Sequence, residues 1–303
     1  MGAMTRVPSY PNAGLTRFFQ LHRSPAGHLA GRGTARDPES GASMESTTEA
    51  VTTPPLANVP AARATVWPDV PIVLRVSSED DVALADAISS DRLAWVEVPM
   101  ALAERFARSA LAVDLIMDDL NDAPSLYRIS SLYGERLPRL TLPAREGIAR
   151  AGAIALAVQF AVRIVPLQPS AAEVAELQAV LERYLHDTNA RTPIEFFHTW
   201  LVAAVHGGRP SLWEVLERDP DLYPRIDADE NFPPQEAGFV ERHVAELREK
   251  GAECTRCRFF DGCGGYFKWP DPAYDCADVR GLLTSLDEAA ARLRQDIQEA
   301  AQA

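Results

Sequence analysis

Cysteine is absent from residues 1–253 and from residues 277–303 of this 303-residue chain. Unrelated core cysteines would be scattered, so the emptiness elsewhere excludes that account of the four that are present. No apolar run reaches the roughly 18 residues that a membrane-spanning helix needs. The longest, AGAIALAVQFAV from Ala151 to Val162, has the length of a core helix running into a strand. Basic charge is scarce as well. A net charge of −13 argues against a general nucleic-acid or anionic-membrane binder, both of which need a basic surface. There is no Walker loop and no G-x-G-x-x-G, and Ser77 and Ser78 have no G-x-S-x-G elbow around them. No secretory signal core is visible. These absences lead to the expectation of a soluble, cytoplasmic protein with no nucleic-acid or membrane partner.

Residues 1–43 hold five arginines and two acids among many Gly, Pro and Ser, which leaves about −16 (−13 minus +3) for the remainder. An arginine-rich, acid-poor leader can be an organellar transit peptide. Without an apolar core or an amphipathic pattern, a disordered tail or translated upstream region is the better reading, with Met44 as a plausible alternative start. The stretch STTEAVTTPPLANVP continues as linker, so residues 1–66 are expected to be leader and linker, and order to begin near Trp67.

From there, short apolar runs alternate with helical patterns. PIVLRVSS (71–78) and LAWVEVPM (93–100) read as strands, with helical spacing in 80–90 and 101–112. VDLIMDDL (113–120) is a third short apolar run, and LYRISSLY (126–133) and LPRLTLPA (137–144) stand as two further, less sharply bounded ones. A helix over 145–160 and a buried strand over 161–169 complete the series. Strands and helices at this spacing predict an α/β fold over 67–169, either a partial (β/α) barrel or an open, mostly parallel sheet. Residues 170–252 read as a helical bridge, with helices over 170–188, 193–208, 211–219 and 233–251. The first of these begins with a Ser-x-x-Glu capping box and the second with Pro in its first turn. Residues 253–303 form a Cys-rich segment followed by a long amphipathic helix.

The four cysteines are spaced Cys254-x2-Cys257-x5-Cys263-x12-Cys276. The first pair follows a helix-ending Gly, and Cys263 lies in GCGG, where glycine permits positive φ and lets backbone N–H groups approach a sulfur. Three chemistries use such a set. Disulfides need an oxidising compartment. Structural zinc normally shows two closely paired knuckles, and only one close pair is present here. An iron–sulfur cluster takes four cysteines at uneven spacing. The spacing favours a cluster bound by Cys254, Cys257, Cys263 and Cys276, with zinc as the alternative ligand of the same residues.

CTRCRFFDGCGG resembles the C-x2-C-x5-C-x-G-G core of the SPASM or twitch domains, which follow the barrel of radical S-adenosylmethionine enzymes and bind an auxiliary [4Fe-4S] cluster. The likeness is specific over about 24 residues and matches Cys254, Cys257 and Cys263. Where that family usually has a further Cys, this chain has Phe267, and Cys276 stands as the substitute ligand. The family's C-x3-C-x2-C, which cleaves S-adenosylmethionine, should follow the first barrel strand. After VLRVSS this chain continues EDDVALADAI, without cysteine. The resemblance therefore implies a degenerate barrel that keeps only an auxiliary cluster. Such a protein would be an accessory in peptide or cofactor maturation, with a precursor peptide or a maturation enzyme as partner. Two alternatives remain: a zinc-stapled interaction protein with no redox role, and an enzyme that uses the single cluster directly.

Other residues carry weaker signals. His198 and His206, with Glu195, could line a pocket, though imidazoles packed beside Trp200 are commoner. Asp114, Asp118 and Asp119 fall at a strand end, where α/β folds place their sites. Tyr266, Phe267 and Trp269 would shield a cluster or form a peptide-docking face.

Overall fold

A computed structural model describes residues 57–60, 72–78, 81–82, 85, 93–222 and 238–302. Among the described residues, seven strands form one sheet: β1 (Ala57–Pro60), β2 (Ile72–Arg75), β3 (Leu93–Pro99), β4 (Val113–Ile116), β5 (Arg139–Pro143), β6 (Ala161–Val165) and β7 (Ile194–Glu195). All neighbours are parallel and the spatial order follows the chain without reversal. Right-handed crossovers that always step to the next strand place the intervening helices on one face, which is the winding of a (β/α) barrel. A doubly wound sheet would reverse direction instead. Here β1 and β7 are the edges, so the sheet stays open. The expected α/β architecture, a partial barrel or open parallel sheet followed by helices, is what the chain adopts.

The helices on the crossovers are α1 (Ala103–Phe106), α2 (Leu126–Tyr133), α3 (Ile148–Ala157) and α4 (Ala171–His186). Helix α5 (Phe197–Val205), α6 (Leu212–Val215), α7 (Phe239–Glu249), α8 (Phe260–Cys263) and α9 (Ala277–Ala300) follow the sheet. Three elements differ from the sequence reading. LYRISSLY is helix α2, because Leu126, Ile129 and Tyr133 fall on one face at 3.6-residue spacing and are the residues it buries. Ile194 and Glu195 extend the sheet rather than opening a helix, with Ile194 beside Val162 and fully buried. Strand β1 lies within residues read as linker and pairs with β2. The helix expected over 80–90 is described at Asp81, Val82 and Ala85, all helical, and the start of the 233–251 helix lies outside the described residues. The segments following the sheet pack with it, Pro55–Ala303 forming one compact unit.

Alternation along the strands divides the sheet into two chemically different faces. Leu74, Val96, Val98, Leu115, Leu140, Leu142, Val162 and Ile164 are all buried within the main hydrophobic cluster. Between them stand Arg75, Glu97, Asp114, Arg139, Thr141 and Arg163. Register aligns Arg75, Glu97, Asp114 and Arg139 as one rung, and Thr141, Arg163 and Glu195 as another. Parallel strands covered on both sides usually read as near-continuous apolar runs. These strands instead carry a charged inner face.

Arg163 is the hub of that face. Its Nε donates to Thr141 Oγ1 at 3.1 Å, Nη2 donates to Asp114 Oδ2 at 3.0 Å, and Nη1 pairs with Glu217. Glu97 lies 3.7 Å from the same guanidinium and also receives Arg75. Arg139 bonds Asp114 through Nε and Nη2, and reaches Glu217 through Nη1. The three cations and three carboxylates balance. Removing one partner of a buried pair leaves a desolvated charge and costs about 3–5 kcal/mol, whereas an exposed pair contributes about 1 kcal/mol or less. Arg163→Leu is expected to lower the unfolding free energy by about 3 kcal/mol, and Arg75→Leu, whose side chain is 37% exposed, by about 1 kcal/mol. Urea denaturation of the two variants checks the order, and equal losses would contradict the hub.

Candidate metal centre and strand-end cavity

The Cys-rich segment is a chain of short turns. A 3-10 helix over Glu253–Arg256 carries Cys254, and Cys257 caps its end in extended conformation. Cys263 is the last residue of α8, and Cys276 immediately precedes α9. Four positions between 254 and 276 are thereby turned toward one place. All four sulfur-bearing side chains line a single small cavity of about 20 Å³, together with Phe259, Phe260, Phe267 and Val279. None is disulfide-bonded. Among the described residues, no three or more His, Cys, Asp or Glu side chains form a group that could hold a metal ion.

The electrostatics of the thiols follow from burial and two kinds of opposing donor. Burial pushes the Cys263 thiol up to about 12, against the backbone amides of Phe267, Tyr266 and Gly265, which favour its thiolate. Burial likewise raises Cys276 to about 11 and raises Cys254, each opposed by the Lys268 ammonium. Lys268 is itself buried, donating to the Tyr274 carbonyl at 2.5 Å and lying 3.7 Å from Glu253. A buried ammonium beside two thiols and a row of amides at a third are stabilisers of negative sulfur.

The amides reach Cys263 because the chain turns through two consecutive left-handed residues, Gly264 at φ 55° and Gly265 at φ 72°. Successive N–H groups in such a turn form a nest for negative charge. Their carbonyls are held from outside: Trp213 Nε1 donates to Gly264 O at 3.0 Å, and His243 Nε2 lies 3.1 Å from Gly265 O. Farther along, Gln168 Nε2 donates to Phe267 O and Asp271 O, and the Tyr274 hydroxyl donates to Pro169 O. The helical bridge and the sixth strand's exit thus brace the loop. Nothing in the sequence reading singled out Trp213, His243, Gln168 or Lys268. Only Gln168 and Pro169 had a locatable position, at the end of the last strand of the α/β pattern.

Of the aromatic residues singled out, Phe267 lines the cysteine cavity. Tyr266 packs edge-on against Trp213 at 5.1 Å, and Trp269 against Phe239 at 5.3 Å. Tyr266 and Phe267 are buried, so they build the loop's support instead of an exposed docking face. The Tyr266 hydroxyl has no hydrogen-bond partner among the described residues. Burial raises it to about 12, with Arg218 and Arg163 acting in the opposite direction.

The histidines do not converge. His198 Nδ1 lies 3.0 Å from the Tyr184 hydroxyl, Glu195 accepts from the Thr199 amide and hydroxyl, and His206 is exposed at the end of α5. Ser77 and Ser78 donate their amides to Asp81. The three aspartates have three different roles. Asp114 is buried in the charged rung, Asp119 caps the 3-10 helix over Leu120–Ser125, and Asp118 lines a second and much larger cavity.

That cavity, about 460 Å³, opens at the C-terminal ends of β2 to β6, where Pro99, Ile116, Pro143 and Val165 form its wall. The charged network, through Arg75, Glu97, Thr141, Arg163 and Glu217, is its floor. Gln168 and Pro169, which brace the cysteine loop, also line it. No protein-family model, curated protein or solved structure matches the chain.

A methyl group on Gly265 would fall 2.2 Å from Leu247 Cδ1 and 3.2 Å from His243 Nε2, in addition to the strain of positive φ. Gly265→Ala is therefore expected to lower stability by about 2 kcal/mol. Urea denaturation checks it, and a wild-type midpoint would mean that the turn tolerates a side chain.

Proposed function

We propose that Cys254, Cys257, Cys263 and Cys276 bind one iron–sulfur cluster of the [4Fe-4S] type, and that the chain is an accessory in peptide or cofactor maturation. The observation that carries the reading is the convergence of all four thiols on one apolar cavity, with the Lys268 ammonium and the Cys263 amide nest beside them. The donor set fits the group. Four thiolates are the ligand set such a cluster would take, and the same four could hold zinc. When bound, a cluster of this kind supplies one-electron transfer, with a potential set by burial and by hydrogen bonds to its sulfurs. The chain's own contribution is to exclude water with Phe259, Phe260 and Phe267, and to place amide and ammonium donors at the sulfurs.

The resemblance of CTRCRFFDGCGG to the auxiliary-cluster domains supports the accessory role, and the lack of any cysteine outside 254–276 argues against radical generation by this chain. A precursor peptide or a maturation enzyme is the partner that this role requires. The alternative is a zinc-stapled interaction protein, in which the same cysteines only hold α9 in place.

Protein purified without oxygen is expected to contain about four irons and four sulfides per chain and to absorb near 400 nm. Cys263→Ser and Cys276→Ser should each lose most of that signal. Stoichiometric zinc without iron or sulfide would overturn the cluster in favour of the staple.

A further inference from the structure

The cavity at the strand ends lies outside the cysteine site. Its volume, about 460 Å³, is within the range of small-ligand pockets, and it sits where barrel-wound sheets bind their ligands. Among the described residues its charges are evenly divided. Arg75, Arg145, Arg163 and Arg218 face Glu97, Asp118, Glu173 and Glu217. Most are engaged. Arg163 and Glu217 belong to the floor, Arg75 pairs with Glu97, and Glu173 closes the capping box of α4.

Asp118 and Arg145 differ. They lie on the exits of neighbouring strands, β4 and β5, and both line the cavity. Neither side chain has an ion pair or hydrogen bond among the described residues, and the two do not pair with each other. A cavity with no net charge exerts no general preference for anions or cations. Both are exposed to solvent, and a ligand with a single charge would engage only one of the two rim groups. A ligand carrying both an ammonium and a carboxylate satisfies both, while its apolar body meets Ile116, Pro143 and Val165.

We propose that this cavity binds a small zwitterion of the α-amino-acid class, with its ammonium at Asp118 and its carboxylate at Arg145. The site does not depend on the metal reading. Its floor is side-chain chemistry of the sheet, and binding is expected with or without metal in the cysteine segment.

The test is calorimetric titration of the full chain with L-leucine, leucinamide and N-acetyl-L-leucine, which present both charges, the cation alone and the anion alone. L-Leucine should bind saturably and at least about tenfold more tightly than either analogue. Arg145→Gln should reduce its affinity to about that of leucinamide, and Asp118→Asn to about that of N-acetyl-L-leucine. Neither residue has a side-chain partner among the described residues, so both variants should keep the wild-type melting temperature. Equal binding of a singly charged analogue, no saturation by about 10 mM, or variants that bind L-leucine as the wild type does would each overturn the proposal. Repeating the titration after chelation separates it from the cluster. Loss of iron with binding retained would leave the cavity standing, and loss of binding alone would leave the cluster standing.

Discussion

Burying a guanidinium in the middle of a parallel sheet is energetically hazardous, and the rest of this structure is arranged around doing so. Arg163 is 6% exposed and occupies a position where a barrel-wound sheet ordinarily packs branched aliphatics. Its charge is tolerable only because acceptors approach it from several directions: Asp114 from β4, Thr141 from β5 and Glu217 from beyond α6. Asp114 in turn is 1% exposed and needs Arg139 as well as Arg163. Each charge is compensated by a neighbour that could not itself be buried alone. The network therefore imposes register. A one-residue slip of any of these strands would place its charged residue among the helices.

Glu217 makes the network more than a property of the sheet. It is the one of the three carboxylates supplied from outside the strands, and it holds positive φ, a conformation that a side chain seldom adopts. The segment that delivers it also carries Trp213, whose indole fixes the Gly264 carbonyl and packs on Tyr266. One short segment thus touches the floor of the strand-end cavity at Glu217 and the cysteine loop at Trp213. Gln168 and Pro169 make a second such link, lining the cavity and accepting or donating the bonds that hold Phe267, Asp271 and Tyr274.

What could be read from the sequence was what depends on local pattern. Alternating apolar runs and capping signals were sufficient for the α/β class and for the Ser170 capping box, which the structure contains in full. The cysteine spacing and its glycines located the loop, and the four thiols do line one cavity. LYRISSLY misled because eight residues with five apolar or aromatic members satisfy both periods, and only its packing face decides. The charged rung was hidden for a different reason. Arg75, Glu97, Asp114 and Arg163 are separated by 17 to 49 positions in the chain, and each looks like an ordinary surface residue until register aligns them. Asp118 had been noticed for its place at a strand end, but its cavity is built by five strands and could not be inferred from one.

The two candidate sites divide the molecule's chemistry in a way that follows from the same network. The salt bridges at the level of Asp114 and Arg163 form the floor of the cavity at the C-terminal mouth. The thiols, by contrast, belong to turns beyond the sheet, braced by Gln168, Pro169 and the Trp213–Glu217 segment and packed on Trp200 through Phe259. A change at the mouth that displaced Glu217 would leave Arg139 and Arg163 short of an acceptor, and the same displacement would move Trp213 away from Gly264. The bonds that orient the amides toward Cys263 and those that neutralise the cavity floor therefore lie in one mechanical unit. The cavity floor and the cysteine loop are joined by no more than the five residues from Trp213 to Glu217.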